Sequence, residues 1–312
     1  MSSGGSSAKG VPGGSSAKGV LASVLFAGTA FAALVLSVPE PPLPDKLDNA
    51  PEPGIIGRDD RVPLARFTPD TPEDFPGWED VQNAVVRISC NGGGTGGGVL
   101  IGDGTRMLSA AHVFYHDDGD PDWSRINCMV LHPRGDAVAI RPQGMKSGRF
   151  GIPEELGGHF SIAITRHDWV IVPLVRAPHG AVPLPLADRD TMVLEQGARV
   201  INIAGPQDNL EIAGFNAQVC RYFGVPPTAS HLVGDEIIGR LAEPGDEWHV
   251  ARYDCDLGRG GSGSGIFGWH EGAPYVWGIV TDSLRGADRC PEVGYSSCYS
   301  AGPLVTTMDI LP

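Results

Sequence analysis

Residues 255–265 read CDLGRGGSGSG, and this glycine-rich loop decides how the rest of the chain is interpreted. Glycines on both sides of Ser262 allow a sharp turn with exposed backbone amides, because a residue without a Cβ adopts positive φ at little cost. Two N–H groups aimed at one point can stabilise an oxyanion. A flexible Gly/Ser linker is the simpler alternative, but Cys255 precedes the loop and the apolar Ile266 and Phe267 follow it directly. A loop anchored at both ends in this way is a poor linker.

Two further motifs lie upstream, one around a histidine and one around an aspartate. Residues 107–113 (MLSAAHV) place His112 after an apolar strand and two alanines, so the imidazole can emerge at a strand end. Residues 167–172 (HDWVIV) place Asp168 before a buried strand, where a carboxylate is partly desolvated and needs a partner. Taken singly, His112 is more often a structural histidine and Asp168 a turn or capping residue. Taken together, in the order His112, Asp168, Ser262, the three motifs are more informative than any one of them alone.

In that order the three motifs resemble the trypsin-like (chymotrypsin-fold) serine peptidases. The resemblance is nearest to the secreted bacterial branch that includes the glutamyl endopeptidases. Residues 54–61 (GIIGRDDR) add to it, since an IIG-x-DDR start is typical of that branch, and the resemblance spans roughly residues 55–300. It implies an all-β fold of two antiparallel six-stranded β-barrels, with the active site in the cleft between them. A serine endopeptidase is the function that this resemblance implies.

The resemblance also implies a role for each residue of the site. Ser262 would be the nucleophile, His112 the general base and acid, and Asp168 the residue that orients His112. The oxyanion hole would consist of the backbone N–H groups of Gly260 and Ser262. Ser264 is the rival nucleophile, but Ser262 fits the family pattern GxSG and Ser264 does not. No metal and no other cofactor are expected at this site.

The residues that correspond to the specificity pocket of the family leave the preferred substrate open. Val280 stands where the glutamyl branch has a histidine, so a preference for glutamate is not expected. Asp256 precedes Ser262 by six residues, where tryptic relatives keep the acid that binds arginine or lysine. In bacterial relatives an acid at this place need not determine specificity, so both interpretations stand. Thr281 follows Val280 and is the third candidate pocket residue.

Two other patterns have competing explanations. Residues 92–98 (GGGTGGG) lack the GK[ST] ending of a phosphate-binding loop, so we expect a turn before a strand. His112 and His116 have HxxxH spacing, but the zincin motif HExxH is missing, and we expect His116 to be a loop residue. A metal-dependent hydrolase and a non-catalytic, protease-like binding protein are the alternatives to a serine endopeptidase.

The first 54 residues differ in composition from the rest of the chain. Residues 20–38 carry no charge and follow a lysine-containing low-complexity segment, which predicts a signal peptide or a signal anchor within residues 1–38. Small residues on both sides of Phe31 favour a cleaved signal peptide. A cleaved signal gives a secreted or periplasmic protein, whereas an uncleaved one anchors it to the bacterial inner membrane. Residues 39–54 are proline-rich and predict a linker or propeptide.

Six cysteines fit an exported chain. Their number is even and no CxxC pair occurs, which favours disulfides over a zinc or thiol redox site. We expect cysteines that are neighbours in the sequence to pair. The expected bridges are Cys90–Cys128, Cys220–Cys255 and Cys290–Cys298.

Composition and charge limit the fold and the partners further. With 44 glycines and 27 prolines, the chain favours many short strands over a helical bundle. Helical turns are expected only near residues 72–81 and just after His112. The predicted strands are 84–89, 98–101, 169–174, 198–203 and 275–280.

The two barrels are expected to follow one another along the chain. Residues 55–185 would form the first barrel with His112 and Asp168, and residues 186–312 the second with Ser262. A formal net charge of −14 argues against nucleic acid as a partner, so a protein or peptide substrate is expected. Contact with a membrane is expected only through an uncleaved N-terminal anchor, and the sequence leaves the oligomeric state open.

Overall fold

The computed structural model describes residues 59–90, 93–115, 127–148, 165, 167–188, 194–195, 197–205, 214–224, 250–258, 260–283, 300–305 and 308. Short β-strands predominate in them, as expected for β-branched segments bounded by glycine, proline or aspartate. The strands are β1 (Val62–Pro63), β2 (Val85–Cys90), β3 (Gly93–Ile101), β4 (Arg106–Ser109), β5 (Cys128–Leu131), β6 (Ala137–Ala139), β7 (Lys146–Ser147), β8 (Val170–Pro173), β9 (Arg199–Ala204), β10 (Asn216–Gly224), β11 (Val250–Tyr253), β12 (Ser264–His270), β13 (Ala273–Val280), β14 (Asp282–Ser283) and β15 (Ser300–Pro303).

Little of the described chain is helical. Among the helical elements whose bounds are described, one α-helix, α1, spans Trp78–Val81, and four turns are of the 3-10 type. They lie at Leu64–Arg66, Pro72–Asp74, Gln82–Ala84 and Ala111–Val113. Both regions in which the sequence predicts helical turns therefore contain them. No helix among the described residues has the length and apolar character needed to cross a membrane.

The first sheet consists of six antiparallel strands in the order β6-β5-β2-β3-β4-β8, with the two-residue strand β7 added beside β8. An isolated bridge between Ile140 and Leu174 joins the residues that follow β6 and β8, so the sheet curves back on itself. Its interior is filled by fully buried side chains, among them Ile88, Leu100 and Val172. This curved sheet is the first barrel.

The second sheet has a ring order of β13-β12-β9-β10-β11-β15, with β14 added beside β15 and β1 beside β10. A bridge between Gly278 and Leu304 connects β13 with the residue after β15. The predicted architecture of two antiparallel six-stranded barrels is therefore confirmed, with short strands at the edges. Val62 of β1 pairs with Ala217 of β10, so the first strand of the described residues belongs to the second sheet.

The structure corrects the turn expected for residues 92–98, because Gly93 to Gly98 belong to β3. A Cβ atom on Gly96 would lie only 2.8 Å from the carbonyl oxygen of Ser262 and 2.9 Å from a methyl group of Val113. A Cβ on Gly97 would lie 3.3 Å from the backbone of Ser264. Glycines inside a strand often mark a place where another backbone approaches closely. Here they let the loop around Ser262 pack directly on β3.

One core cluster continues from the first sheet into the second. It includes Val99 and Leu108 of the first barrel and Ile203 and Ile266 of the second, all at most 2% exposed. Since burial of apolar surface is the main favourable term in folding, this shared core holds the two sheets together.

Several predictions concern residues outside the described ranges. They are the signal segment (residues 1–38), the linker or propeptide (residues 39–54), the loop histidine His116, and the Cys290–Cys298 bridge.

Candidate active site

His112 and Asp168 form a hydrogen-bonded pair at the ends of two neighbouring strands. Ser109, the last residue of β4, pairs with Val170, the first residue of β8, so the residues beyond these two ends lie side by side. The Asp168 Oδ2 atom lies 2.6 Å from Nδ1 of His112, and Oδ1 accepts the backbone N–H of His112 at 2.8 Å. One carboxylate therefore contacts both the ring and the backbone of the histidine.

Burial determines the electrostatics of this pair. The side chain of Asp168 is 0% exposed, whereas that of His112 is 21% exposed. A buried carboxylate is stable only when hydrogen bonds replace its hydration, and each oxygen of Asp168 makes one with His112. The ionised form of this carboxylate can only accept, so that form requires a proton on Nδ1 of His112. In the neutral ring, Nε2 is then the nitrogen that accepts a proton.

We call residues 256–265 the serine loop; Arg259 within it lies outside the described residues. Gly260 and Gly263 have φ angles of +82° and +81°, a conformation that side chains with a Cβ rarely adopt. Hydrogen bonds from Gly261 N–H to Gly258 O and from Ser264 N–H to Gly261 O, both 3.0 Å, close successive turns. The loop is thus a defined pair of turns.

The serine loop contacts the first barrel through strand β3 and the end of β4. Gly97 N–H donates to the carbonyl of Ser262 at 2.8 Å. A Cβ on Gly263 would overlap the carbonyl oxygen of Gly97 and the hydroxyl of Ser109. That hydroxyl itself donates to Gly97 O at 2.7 Å. The serine loop therefore packs against the end of β4, the strand that leads into His112.

Within residues 260–263 of the serine loop, two backbone donors make no hydrogen bond to any other part of the described chain. They are the N–H groups of Gly260 and Ser262, the two that the sequence assigns to an oxyanion hole. The N–H groups of Gly261 and Gly263, by contrast, donate to protein carbonyls. Residues 260–263 therefore alternate between amides that hold the shape of the loop and amides that can bind a ligand oxygen.

The structure separates the two candidate nucleophiles by their exposure. Ser262 is half-buried, whereas Ser264 is 1% exposed. The Oγ atom of Ser264 accepts a hydrogen bond from Asn202 Nδ2 at 3.1 Å. Ser262 is therefore the more accessible of the two serines.

The three residues that the sequence associates with a specificity pocket are buried. Asp256 is 0% exposed, and its Oδ2 accepts the backbone N–H of Asp60 at 2.8 Å. The Val280 carbonyl accepts the N–H of Gly263 at 2.7 Å and so supports the serine loop. Thr281 is 3% exposed, and its hydroxyl has no hydrogen-bond partner in the described part of the chain. The Asp256 carboxylate thus contacts the amino-terminal segment of the described chain.

Sequence reasoning missed two polar residues beneath the serine loop. Asn202 on β9 and Gln218 on β10 lie opposite each other in the strand register and are 0% and 2% exposed. The only signal in the sequence is that an amide interrupts an otherwise apolar strand, as Asn202 does in residues 198–203 (ARVINI).

Two disulfides join neighbours in the sequence, as expected. Cys90 pairs with Cys128 between β2 and β5, and Cys220 on β10 pairs with Cys255, just before the serine loop. Disulfides of this kind persist in oxidising compartments.

Replacing Cys220 and Cys255 together by serine is expected to lower the free energy of unfolding by about 2–4 kcal/mol, because a cross-link restricts the unfolded chain. Urea denaturation of the double variant beside the parent measures this change. The Cys90→Ser, Cys128→Ser double variant is the matched control, since the two bridges span 38 and 35 residues. An unchanged urea midpoint for the Cys220 and Cys255 variant would contradict the expectation.

Comparisons with known proteins find similar folds at low sequence identity. No protein-family model matches the chain, and no curated protein matches it. A Glu endopeptidase in complex with MPD has a TM-score of 0.49 at 13% identity, over 81% of this chain and 94% of its own. Neuropsin, a serine protease expressed in the limbic system of mouse brain, has a TM-score of 0.49 at 14% identity, over 73% and 91%.

A third solved structure is the inactive form of Rv3671c from M. tuberculosis H37Rv, a serine-to-alanine mutant. Its TM-score is 0.44 at 15% identity, over 77% of this chain and 90% of its own. Each of these three proteins resembles this chain in fold alone. The two antiparallel sheets, each with six strands in ring order, form the double β-barrel that the sequence predicts.

Proposed function

We propose that this protein is a serine endopeptidase in which Ser262, His112 and Asp168 form the catalytic triad. The observation that carries the proposal is the His112–Asp168 pair, with a fully buried carboxylate 2.6 Å from Nδ1. A buried acid that fixes a histidine beside a half-buried serine is the arrangement that activates a hydroxyl nucleophile. The substrate is a protein or peptide.

The first half of the reaction forms an acyl-enzyme. Ser262 Oγ attacks the carbonyl carbon of the scissile bond while Nε2 of His112 takes the hydroxyl proton. The oxyanion of the tetrahedral intermediate accepts hydrogen bonds from the N–H groups of Gly260 and Ser262. When the C–N bond breaks, His112 gives its proton to the leaving amine, and the acyl group remains as an ester on Ser262.

The second half releases the acyl group by hydrolysis. Water attacks the ester carbonyl while His112 Nε2 takes a proton from it, and the same proton returns to Ser262 Oγ as the ester bond breaks. Asp168 stays ionised throughout and stabilises the imidazolium form of His112. Because its carboxylate already accepts two hydrogen bonds from His112, the ring does not need to reorient between the two steps.

The proposal assigns Asp256 no contact with substrate. Its carboxylate is fully buried and accepts the N–H of Asp60, so binding a basic side chain would require breaking that contact. Export is part of the proposal: the uncharged segment 20–38 and the two disulfides both fit a protein that acts outside the cytoplasm.

Labelling with a fluorophosphonate probe tests the proposal, because the probe phosphonylates only an activated serine. We expect the purified protein and its Ser264→Ala variant to be labelled, and the Ser262→Ala variant to remain unlabelled. Mass spectrometry of the labelled peptide locates the modified serine. Labelling abolished by Ser264→Ala alone would identify the other serine as the nucleophile. A folded parent protein that takes up no label would favour the non-catalytic, protease-like binding protein.

A further inference from the structure

The buried side chain of Gln218 holds the beginning of the serine loop, because it makes hydrogen bonds to both the backbone N–H and the backbone carbonyl of Asp256. Gln218 Oε1 accepts the backbone N–H of Asp256 at 2.9 Å, and Gln218 Nε2 donates to the carbonyl of Asp256 at 2.7 Å. Gln218 is 2% exposed and Asp256 is 0% exposed. The two residues are 38 positions apart in the sequence, so the contact forms only in the folded barrel.

A second buried amide holds the end of the same loop. Asn202 Nδ2 donates to the hydroxyl of Ser264 at 3.1 Å and to the carbonyl of Gly265 at 3.0 Å. Asn202 is 0% exposed and Ser264 is 1% exposed. Gln218 Nε2 also donates to Asn202 Oδ1 at 3.2 Å. The two amides therefore form one continuous network from Asp256 to Gly265.

The chemistry of this network requires amides at both places. Each amide presents two donor hydrogens and an acceptor oxygen, and in Gln218 and Asn202 every one of these functions has a partner. An apolar side chain of equal size at position 218 would remove both hydrogen bonds from the buried backbone of Asp256, and the loss of such bonds in a buried place is costly. The pairing of β9 with β10 does not depend on these side chains, because the backbone ladder runs from residues 199 to 204 without a break.

We propose that Gln218 and Asn202 are positioning residues of the serine loop. They tie its two ends to one rigid strand pair and thereby fix Ser262 and the amides of Gly260 and Ser262 relative to His112. The role in catalysis rests on the proposed peptidase function. Reaction rates are sensitive to such placement, since a displacement of about 1 Å can cost about 100-fold in rate.

The test replaces Gln218 by methionine, which has a similar length and no hydrogen-bonding amide. We expect the limiting rate of inactivation by a fluorophosphonate probe to fall about 10- to 100-fold. The probe concentration that gives half of this rate should stay within about threefold, because the probe does not contact Gln218. Hydrogen exchange of a peptide covering residues 256–265, followed by mass spectrometry, should become faster. The Asn202→Ala variant provides the same readouts if the methionine variant does not fold.

The matched control is Ile201→Val, beside Asn202 on the same strand. Ile201 is fully buried, so this change opens a small cavity but removes no hydrogen bond. We expect exchange in the serine loop and the inactivation rate to stay at parent values in this variant. Unchanged loop exchange in folded Gln218→Met or Asn202→Ala protein would overturn the positioning role. If the parent takes up no label, the peptidase proposal fails, and the exchange measurement alone still decides whether the network orders the loop.

Discussion

Asp168→Asn is expected to lower the rate of acylation of Ser262 by about 10⁴-fold in a protein that still folds. Asparagine has the shape of aspartate, and its carbonyl oxygen can still accept the backbone N–H of His112. Its NH₂ group, however, would face Nδ1, which must then become the acceptor. The proton moves to Nε2, and the ring can no longer take a proton from Ser262.

The rate of labelling by a fluorophosphonate probe, followed over time at pH 8, measures this loss directly. Asp254→Asn is the matched control, because Asp254 is also buried, at 6% exposed, and its Oδ1 accepts the backbone N–H of Arg221 at 2.5 Å. This control changes a buried carboxylate without changing the tautomer of His112, so its labelling rate should stay within a few-fold of the parent rate. Equal rates for Asp168→Asn and the parent would remove Asp168 from the mechanism.

Local patterns were sufficient to predict several strands, whereas the candidate site residues came from the family resemblance. The segment 169–174 is a run of apolar residues, and the structure forms β8 at Val170–Pro173. His112 and Asp168 were each predicted beside a strand, and because those two strands pair with each other, the two residues lie close together. Such strand-end residues are predictable because their position depends on the short apolar run beside them.

The glycines of residues 92–98 could not be interpreted locally. Glycine usually favours a turn, but here β3 pairs along β2 and the serine loop packs on it from the other barrel. Gly96 and Gly97 must be small because the backbones of Ser262 and Ser264, which are far away in the sequence, pack directly against them. Intrinsic preference is a weak guide where a second backbone approaches so closely.

Buried polar contacts between distant segments were the other feature that sequence patterns could not supply. The Asp256 carboxylate accepts a hydrogen bond from Asp60, 196 residues earlier, which no motif around Ser262 predicts. In the same way, Asn202 donates a hydrogen bond to Ser264, which lies 62 residues later in the sequence. Partners of this kind follow from strand register, which depends on the packing of the whole barrel.

Gly263→Ala is expected to reduce labelling of Ser262 by about 100-fold or more, because two effects act together at this position. The φ angle of +81° disfavours any residue with a Cβ, at a cost of about 1–2 kcal/mol. The new methyl group would also overlap the carbonyl of Gly97 and the hydroxyl of Ser109, and it would lie 2.8 Å from the backbone nitrogen of Ala110. Relief of this overlap requires the serine loop to move away from β3, and Ser262 would move with it.

Gly272→Ala separates the two effects. Gly272 has a φ angle of +79° in the turn between β12 and β13, and the nearest atom to a Cβ there would be a side-chain carbon of Pro76 at 3.9 Å. The same backbone strain is thus present without the overlap, so this variant should lose stability but keep labelling within about threefold of the parent. Probe labelling and thermal unfolding of both variants provide the comparison. Equal labelling of the two variants would mean that close packing of the serine loop on β3 is not what holds Ser262 beside His112.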